Sequence, residues 1–102
     1  MASYRFTESA QRDFDAILEY IALESSVDRA VEMFGRIRTE LRKIGEMPGM
    51  GHFREELLDR RFKFWSVRPY VIVYRWEEDP IRVIAIIHGA RDLDAFLSDR
   101  VD

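Results

Sequence analysis

The stretch from Tyr70 to Asp92 leaves this chain the least freedom. It reads Tyr-Val-Ile-Val-Tyr-Arg-Trp, then Glu-Glu-Asp-Pro, then Ile-Arg-Val-Ile-Ala-Ile-Ile-His, then Gly-Ala-Arg-Asp. Two runs rich in β-branched and aromatic residues, separated by an acidic turn from Glu77 to Pro80, predict a pair of antiparallel strands. Alternate residues of a strand share a face. Tyr70, Ile72, Tyr74 and Trp76 are therefore expected on one face, with Val71, Val73 and Arg75 on the other. In the second strand Ile81, Val83, Ala85 and Ile87 are expected to form an all-apolar face, opposite Arg82, Ile84, Ile86 and His88. A small antiparallel sheet normally turns one polar face to water. Here the second face keeps Val71, Val73, Ile84 and Ile86 and needs a cover: a C-terminal helix folding back, a docked partner, or both.

The segment ahead of this hairpin reads as two helices. Tyr4 to Phe6 is a short extended piece, and Thr7 followed by Glu8 suits a helix N-terminus. Ala10, Phe14, Ile17, Leu18 and Ile21 then recur at spacings of four and three, which predicts one amphipathic helix over roughly Glu8 to Glu24. Ser25 and Ser26 interrupt the pattern. Ala30, Phe34, Ile37, Leu41 and Ile44 carry a second stripe, closed by Gly45 and Pro48. So short a connection between two amphipathic helices predicts an antiparallel αα-hairpin. Both stripes read as core.

Gly49, Gly51 and His52 form a loop whose far end Leu57 and Leu58 are expected to anchor. From Arg60 to Val67 the pattern alternates again, with Phe62 and Phe64 on one face and Arg61, Lys63 and Trp65 on the other. Pro69 suits a turn or a strand start. After the last strand, Gly89 releases the chain and Asp92 can cap a short helix in which Leu93, Phe96 and Leu97 share a face. The expected fold is α+β: an N-terminal strand and an αα-hairpin packed on a small antiparallel sheet, with a short C-terminal helix. At 102 residues the chain has the length of one domain spanning 1–102.

Composition removes several function classes. There are no cysteines, which excludes disulfides, thiolate metal sites and cysteine nucleophiles. Two histidines, His52 and His88, are too few and too far apart to suggest a metal centre, and nothing points to a cofactor. No apolar run is long enough to span a membrane or to serve as a signal peptide, so a cytoplasmic protein is expected. The net charge is −3, with 7 basic and 9 acidic residues up to Met50 and 9 and 10 after it. Nucleic-acid affinity comes largely from phosphate neutralisation, and neither half is basic. Direct DNA binding by this chain alone is not expected.

Several pieces, in order, carry a family resemblance. They are Thr7 and Ala10 opening the first helix, Tyr20-Ile21-Ala22 near its end, Leu41, the loop Met47-Pro48-Gly49-Met50-Gly51, the strand Val71-Ile72-Val73-Tyr74-Arg75, and Ile87-His88-Gly89-Ala90-Arg91-Asp92. Together they resemble the ParE toxins of the RelE/ParE superfamily over nearly the whole chain. The resemblance implies the toxin half of a type II toxin–antitoxin pair, neutralised by a ParD-like antitoxin. ParE-like toxins are associated with inhibition of DNA gyrase, whereas RelE-like relatives on the same fold cut messenger RNA in the ribosome. The third alternative is a toxin-fold protein that only binds its antitoxin.

The ribonuclease branch carries a basic residue three places before the tyrosine of the central strand, an arginine ending the last strand and a tyrosine in the C-terminal segment. Those slots here hold Val71, Arg91, and Phe96 or Leu97. Attack by a 2′-hydroxyl needs a general base, a general acid and cationic stabilisation, and neither phenylalanine nor leucine moves a proton. A rearranged site would have to use Arg75, Arg82 and His88, which strand alternation puts on one face. The resemblance thus implies a non-enzymatic toxin. Phe96 and Leu97, the apolar pair least needed for the core, and Arg91, an unspent charge beside them that can meet a carboxylate or phosphate, are expected to form the target-binding group. The face bearing Arg61, Lys63, Trp65, Val71, Val73, Arg75, Arg82, Ile84 and Ile86 mixes apolar with cationic groups and is expected to bind an antitoxin segment that folds on binding. Val73→Asp with Ile84→Asp is expected to abolish that complex and leave the toxin folded.

Overall fold

The computed structural model describes residues 3–54 and 59–89. Strand β1 (Tyr4–Phe6) leads into helix α1 (Glu8–Glu24) and helix α2 (Val27–Glu46), then a 3₁₀ turn (Pro48–Met50) and strands β2 (Phe62–Val67), β3 (Tyr70–Arg75) and β4 (Ile81–His88). The expected C-terminal helix, and Leu57 and Leu58, lie outside the described residues. Both helix starts are capped: the Thr7 side chain accepts from the Ala10 N–H and the Ser26 side chain from the Arg29 N–H. Gly45 does not end α2, which continues to Glu46. A Cβ at this position would run into Ser3, so the glycine lets α2 pass close to the residue that precedes β1.

The sheet runs in the order β1-β4-β3-β2. The β3–β4 hairpin is antiparallel, and so is β2–β3. The sheet is nevertheless mixed, because β1 pairs with β4 in parallel, Tyr4 opposite Ile81 and Phe6 opposite Val83. The αα-hairpin lies between these two strands in sequence and covers one face, as a parallel connection requires.

On that face Ala10, Phe14, Ile37, Leu41 and Ile44 of the helices meet Val67, Tyr70, Ile72, Tyr74, Ile81, Val83 and Ile86 of the sheet. Burial of side chains of this size contributes roughly 1.5–3 kcal/mol each. Phe34 belongs to the predicted stripe and stacks on Phe14 at 5.6 Å between ring centres, but it remains 40% exposed.

A second apolar cluster occupies the opposite face: Phe62, Phe64, Val71, Val73, Ile84, Ala85 and Ile87. Its composition corrects two assignments. First, β4 changes phase. Val73 stands opposite Ala85 and Tyr74 opposite Val83, so Ile84 is an extra residue, a β-bulge. Ile81 and Val83 face the helices, Ile84 and Ala85 both face away, and Ile86 returns to the helix side. The four-residue apolar face read from strict alternation does not exist. Second, β2 is in the opposite phase to that expected. The two-residue connection Arg68-Pro69 sets Phe64 opposite Val73 and Trp65 opposite Ile72, which places Phe62 and Phe64 with the valines and sends Lys63 and Trp65 to the helix side.

The bulge exposes backbone groups on β4 just where β1 has ended, and α1 supplies their partners. The Thr7 hydroxyl donates to the Ile84 carbonyl at 3.4 Å, and an Asp13 carboxylate oxygen accepts from the Ile86 N–H at 3.0 Å. Unpaired backbone groups at such a place would be costly. One threonine therefore caps a helix and satisfies the bulge together.

Candidate partner-binding surfaces

Among the described residues, the loop after α2 is the most heavily bonded irregular segment. Tyr74 is fully buried, and its hydroxyl donates to the Pro48 carbonyl at 2.7 Å while accepting the Gly51 N–H at 3.0 Å. A Cβ at position 51 would collide with that hydroxyl, so glycine here is a matter of room. Lys63 sits beside it, 8% exposed, with its ammonium donating to the carbonyls of Gly49 and Gly51 and lying 4.1 Å from the centre of the Phe53 ring. A buried ammonium needs such partners, and the ring face adds a cation–π contribution. His52 closes the loop by pairing with Phe64 through the backbone, and its ring stacks on Trp65. The Tyr74 hydroxyl is held above its usual pKa, first by burial and against the bond from Gly51, so it stays neutral.

The other helix-side handle is Trp65. Its indole N–H donates to Glu40 on α2 at 2.8 Å, and Lys43 pairs with the same carboxylate at 3.0 Å. The indole bond is the main reason that Glu40 stays below the ordinary carboxylate pKa, ahead of the lysine. Lys63 and Trp65 are thus structural groups of the loop and the β2–α2 contact.

The nine residues expected to form one antitoxin surface therefore divide. Lys63, Trp65 and Ile86 face the helix side. Val71, Val73 and Ile84 belong to the second cluster, and all three are buried, at 4%, 0% and 2% exposure. Arg61, Arg75 and Arg82 form a cationic rim on that side. Arg75 and Arg82 are cross-strand partners, a like-charge pair that is unfavourable unless neutralised. Glu78 pairs with Arg75 at 3.1 Å and Asp59 with Arg61 at 2.7 Å. The Arg61 bond, foremost, lowers the Asp59 pKa. The rim guanidiniums lean on aromatic rings, with Arg61 and Arg75 at 5.4 and 5.8 Å from the Phe62 ring centre and Arg54 at 5.2 Å from that of Phe64.

The bulge also separates the groups that a rearranged ribonuclease site would need. His88 turns toward the helix side, edge-on to Tyr70 at 6.0 Å between ring centres, while Arg75 and Arg82 stay on the other face. Arg91, Phe96 and Leu97, the expected target-binding group, lie outside the described residues.

A family model described as the ParE toxin of type II toxin–antitoxin system, parDE, matches residues 4–93. The chain belongs to the ParE toxin family. Among solved structures it is similar to one titled "Chromosomal ParDE TA system from P. aeruginosa", with a TM-score of 0.71 at 18% identity, covering 86% of this chain and 96% of that one. At that identity the likeness shows the fold. A search of curated proteins gave no match. For a ParE-family chain, the loop built on Pro48, Gly49 and Gly51 now has a physical reading: it is the segment that Tyr74 and Lys63 bind from inside. Among the described residues no helix is long and apolar enough to cross a membrane.

Sequence patterning missed the roles of Lys63 and Trp65. The available signal was the connection Arg68-Pro69, whose two residues set the register of β2 on β3 and hence the face of every β2 side chain.

Proposed function

We propose that this ParE-family chain is a toxin that inhibits DNA gyrase by binding it, without chemistry of its own, and is neutralised by a ParD-like antitoxin. The observation that carries the reading is the family match over residues 4–93. The absence of catalysis is supported by the division of Arg75 and Arg82 from His88 across the sheet, since proton transfer and phosphorane stabilisation need those groups within hydrogen-bond reach of one phosphate. Arg91, Phe96 and Leu97 carry the contact with the target, and a segment of the antitoxin crosses the cationic rim of Arg61, Arg75 and Arg82.

Purified protein is expected to block supercoiling by gyrase, to release it when the antitoxin is added, and to leave ribosome-bound message intact. Message cleavage that disappears in an Arg91→Ala variant would instead establish the ribonuclease reading. Deleting the residues after Leu93 is expected to remove gyrase inhibition. If the shortened toxin is folded and inhibits fully, the target surface lies elsewhere.

A further inference from the structure

The helical hairpin carries apolar side chains that its own fold does not use. Leu23 and Val27 flank the α1–α2 connection at 77% and 67% exposure, Val31 is 63% exposed, and Phe34 keeps 40% of its surface open although it stacks on Phe14. Along α2, Val27, Val31, Phe34 and Arg38 recur at spacings of four, three and four. They form a second stripe, beside the one that meets the sheet. Gly35 lies one turn after Val31, and a Cβ there would meet nothing within 4 Å. The middle of α2 is therefore open to close approach. One exposed aliphatic residue is ordinary, but a group of them on one face marks a contact surface.

The charges around this stripe are sorted along the hairpin. Glu19, Glu24 and Asp28 stand toward the tip and Arg12, Arg38 and Arg42 toward the other end, all six exposed. None of them forms an ion pair among the described residues. Arg29, Glu32 and Arg36 lie on the other flank of α2, around the depression beside Tyr70, and Glu40 is held by Trp65 and Lys43. Asp15 sits near the middle and accepts from Gln11 at 3.0 Å. Glu8 and Glu46 are at the extreme ends of their helices, beyond the stripe. An acid at the start of α2 and arginines toward its end suit that helix's own dipole and by themselves point to no partner. α1 is different, because its last turn has no basic residue and Glu24 puts a carboxylate at the negative end of the dipole. That end calls for a cation from elsewhere.

We infer that this face of the hairpin pairs with the same face of a second copy of the chain, the two α2 helices running antiparallel about a two-fold axis between Val31 and Gly35. Each Val31 then packs beside the partner's glycine, and Arg38 and Arg42 of one protomer meet Asp28 and Glu24 of the other. A parallel pairing would set like charges together. An isologous contact must be self-complementary, and a face whose two ends carry opposite charge meets that condition only in the antiparallel sense. α2 has 20 residues, so the face is about 30 Å long and roughly two helix widths across, close to 600 Å² per protomer. That is near the lower limit for a specific interface. A reversible dimer with a dissociation constant on the order of 10 μM is expected. The inference goes beyond the toxin–antitoxin reading and does not depend on it.

The test is sedimentation velocity on the full chain, free of other proteins, from about 1 to 200 μM, with circular dichroism as the folding control. Wild type is expected to pass from monomer to dimer across this range. Val31→Asp and Val27→Asp alter exposed side chains, so both are expected to fold, and each to weaken the dimer at least tenfold. Arg38→Asp is expected to weaken it about tenfold, and adding Asp28→Arg to the same chain is expected to restore it to within about threefold, because the two-fold axis turns each lost pair into a reversed one. A wild type that stays monomeric, or a dimer untouched by either valine variant, would overturn the inference. A dimer that needs the valines but is not restored by the reversed pair would overturn the antiparallel arrangement. If wild type is monomeric and the valine variants instead lose affinity for an antitoxin, the face belongs to that partner, the inference falls and the toxin–antitoxin reading stands.

Discussion

The two faces of the sheet are about equally apolar and are held in different ways. The helix side is fixed by polar handles that reach across elements: Tyr74 to the loop, Trp65 to Glu40, Lys63 to two carbonyls, and Asp13 to the β4 backbone. Among the described residues the other side has aliphatic and aromatic side chains at its centre, and its charges stand at the rim over ring faces. Directional bonds fix a geometry, whereas apolar burial supplies free energy without direction. The helix side thus defines the loop and the register. The far side contributes stability and a charged border.

This contrast is most strongly challenged by charging the far side at its centre. Val73→Asp with Ile84→Asp puts two carboxylates where exposure is 0% and 2%. The pair is expected to destabilise the toxin by more than ~4 kcal/mol and to abolish cooperative unfolding. This reverses the expectation from strand alternation, under which both residues formed a partner surface and the variant stayed folded. A normal melting curve for the double variant would mean that the far face is a true exterior.

A middle-sized effect should come from Tyr74→Phe, which removes the loop's two bonds and little volume. The expected loss is about 1–3 kcal/mol, with faster hydrogen exchange confined to Gly51 and its neighbours. Because the folded-state pKa of Tyr74 is raised, its contribution is fully present below the unfolded tyrosine pKa of about 10 and is lost as pH rises through the folded value. Wild type should therefore lose stability in alkali more steeply than Tyr74→Phe. Parallel curves would remove the hydroxyl from the account of the loop.

The smallest effect belongs to Glu40→Gln. With the folded pKa lowered, the carboxylate stabilises above its unfolded pKa of about 4.5, and this is lost as pH falls through the folded value. The site is partly open to solvent, so the loss at neutral pH is expected to stay below about 1 kcal/mol. As pH falls through that folded value the variant and wild type should converge, as thermal melts across the acid range would record.

The helices and the face of β3 were legible because each depends on a single local period. Thr7, Ala10 and Phe14 read as the cap and core of α1, and Ile72 and Tyr74 as core of the sheet. What was not legible depends on relations between segments. The bulge at Ile84 adds one residue to an otherwise regular run, and nothing in Ile-Ala-Ile-Ile marks where alternation slips. β2 has apolar residues in both phases, Phe62 and Phe64 in one and Trp65 and Val67 in the other, so only the turn length decides between them.

The bond from Thr7 to Ile84 joins positions 77 residues apart, and the parallel pairing of β1 spans nearly as far. Contacts of such sequence separation form late, after loop closure has been met elsewhere. A growing chain can wind its helical hairpin early, but β1 has no strand beside it, and the cap of α1 has no bulge to satisfy, until β4 has been synthesised. The order of synthesis thus holds the sheet open until β4 has been made, so a shorter nascent chain lacks a complete rim.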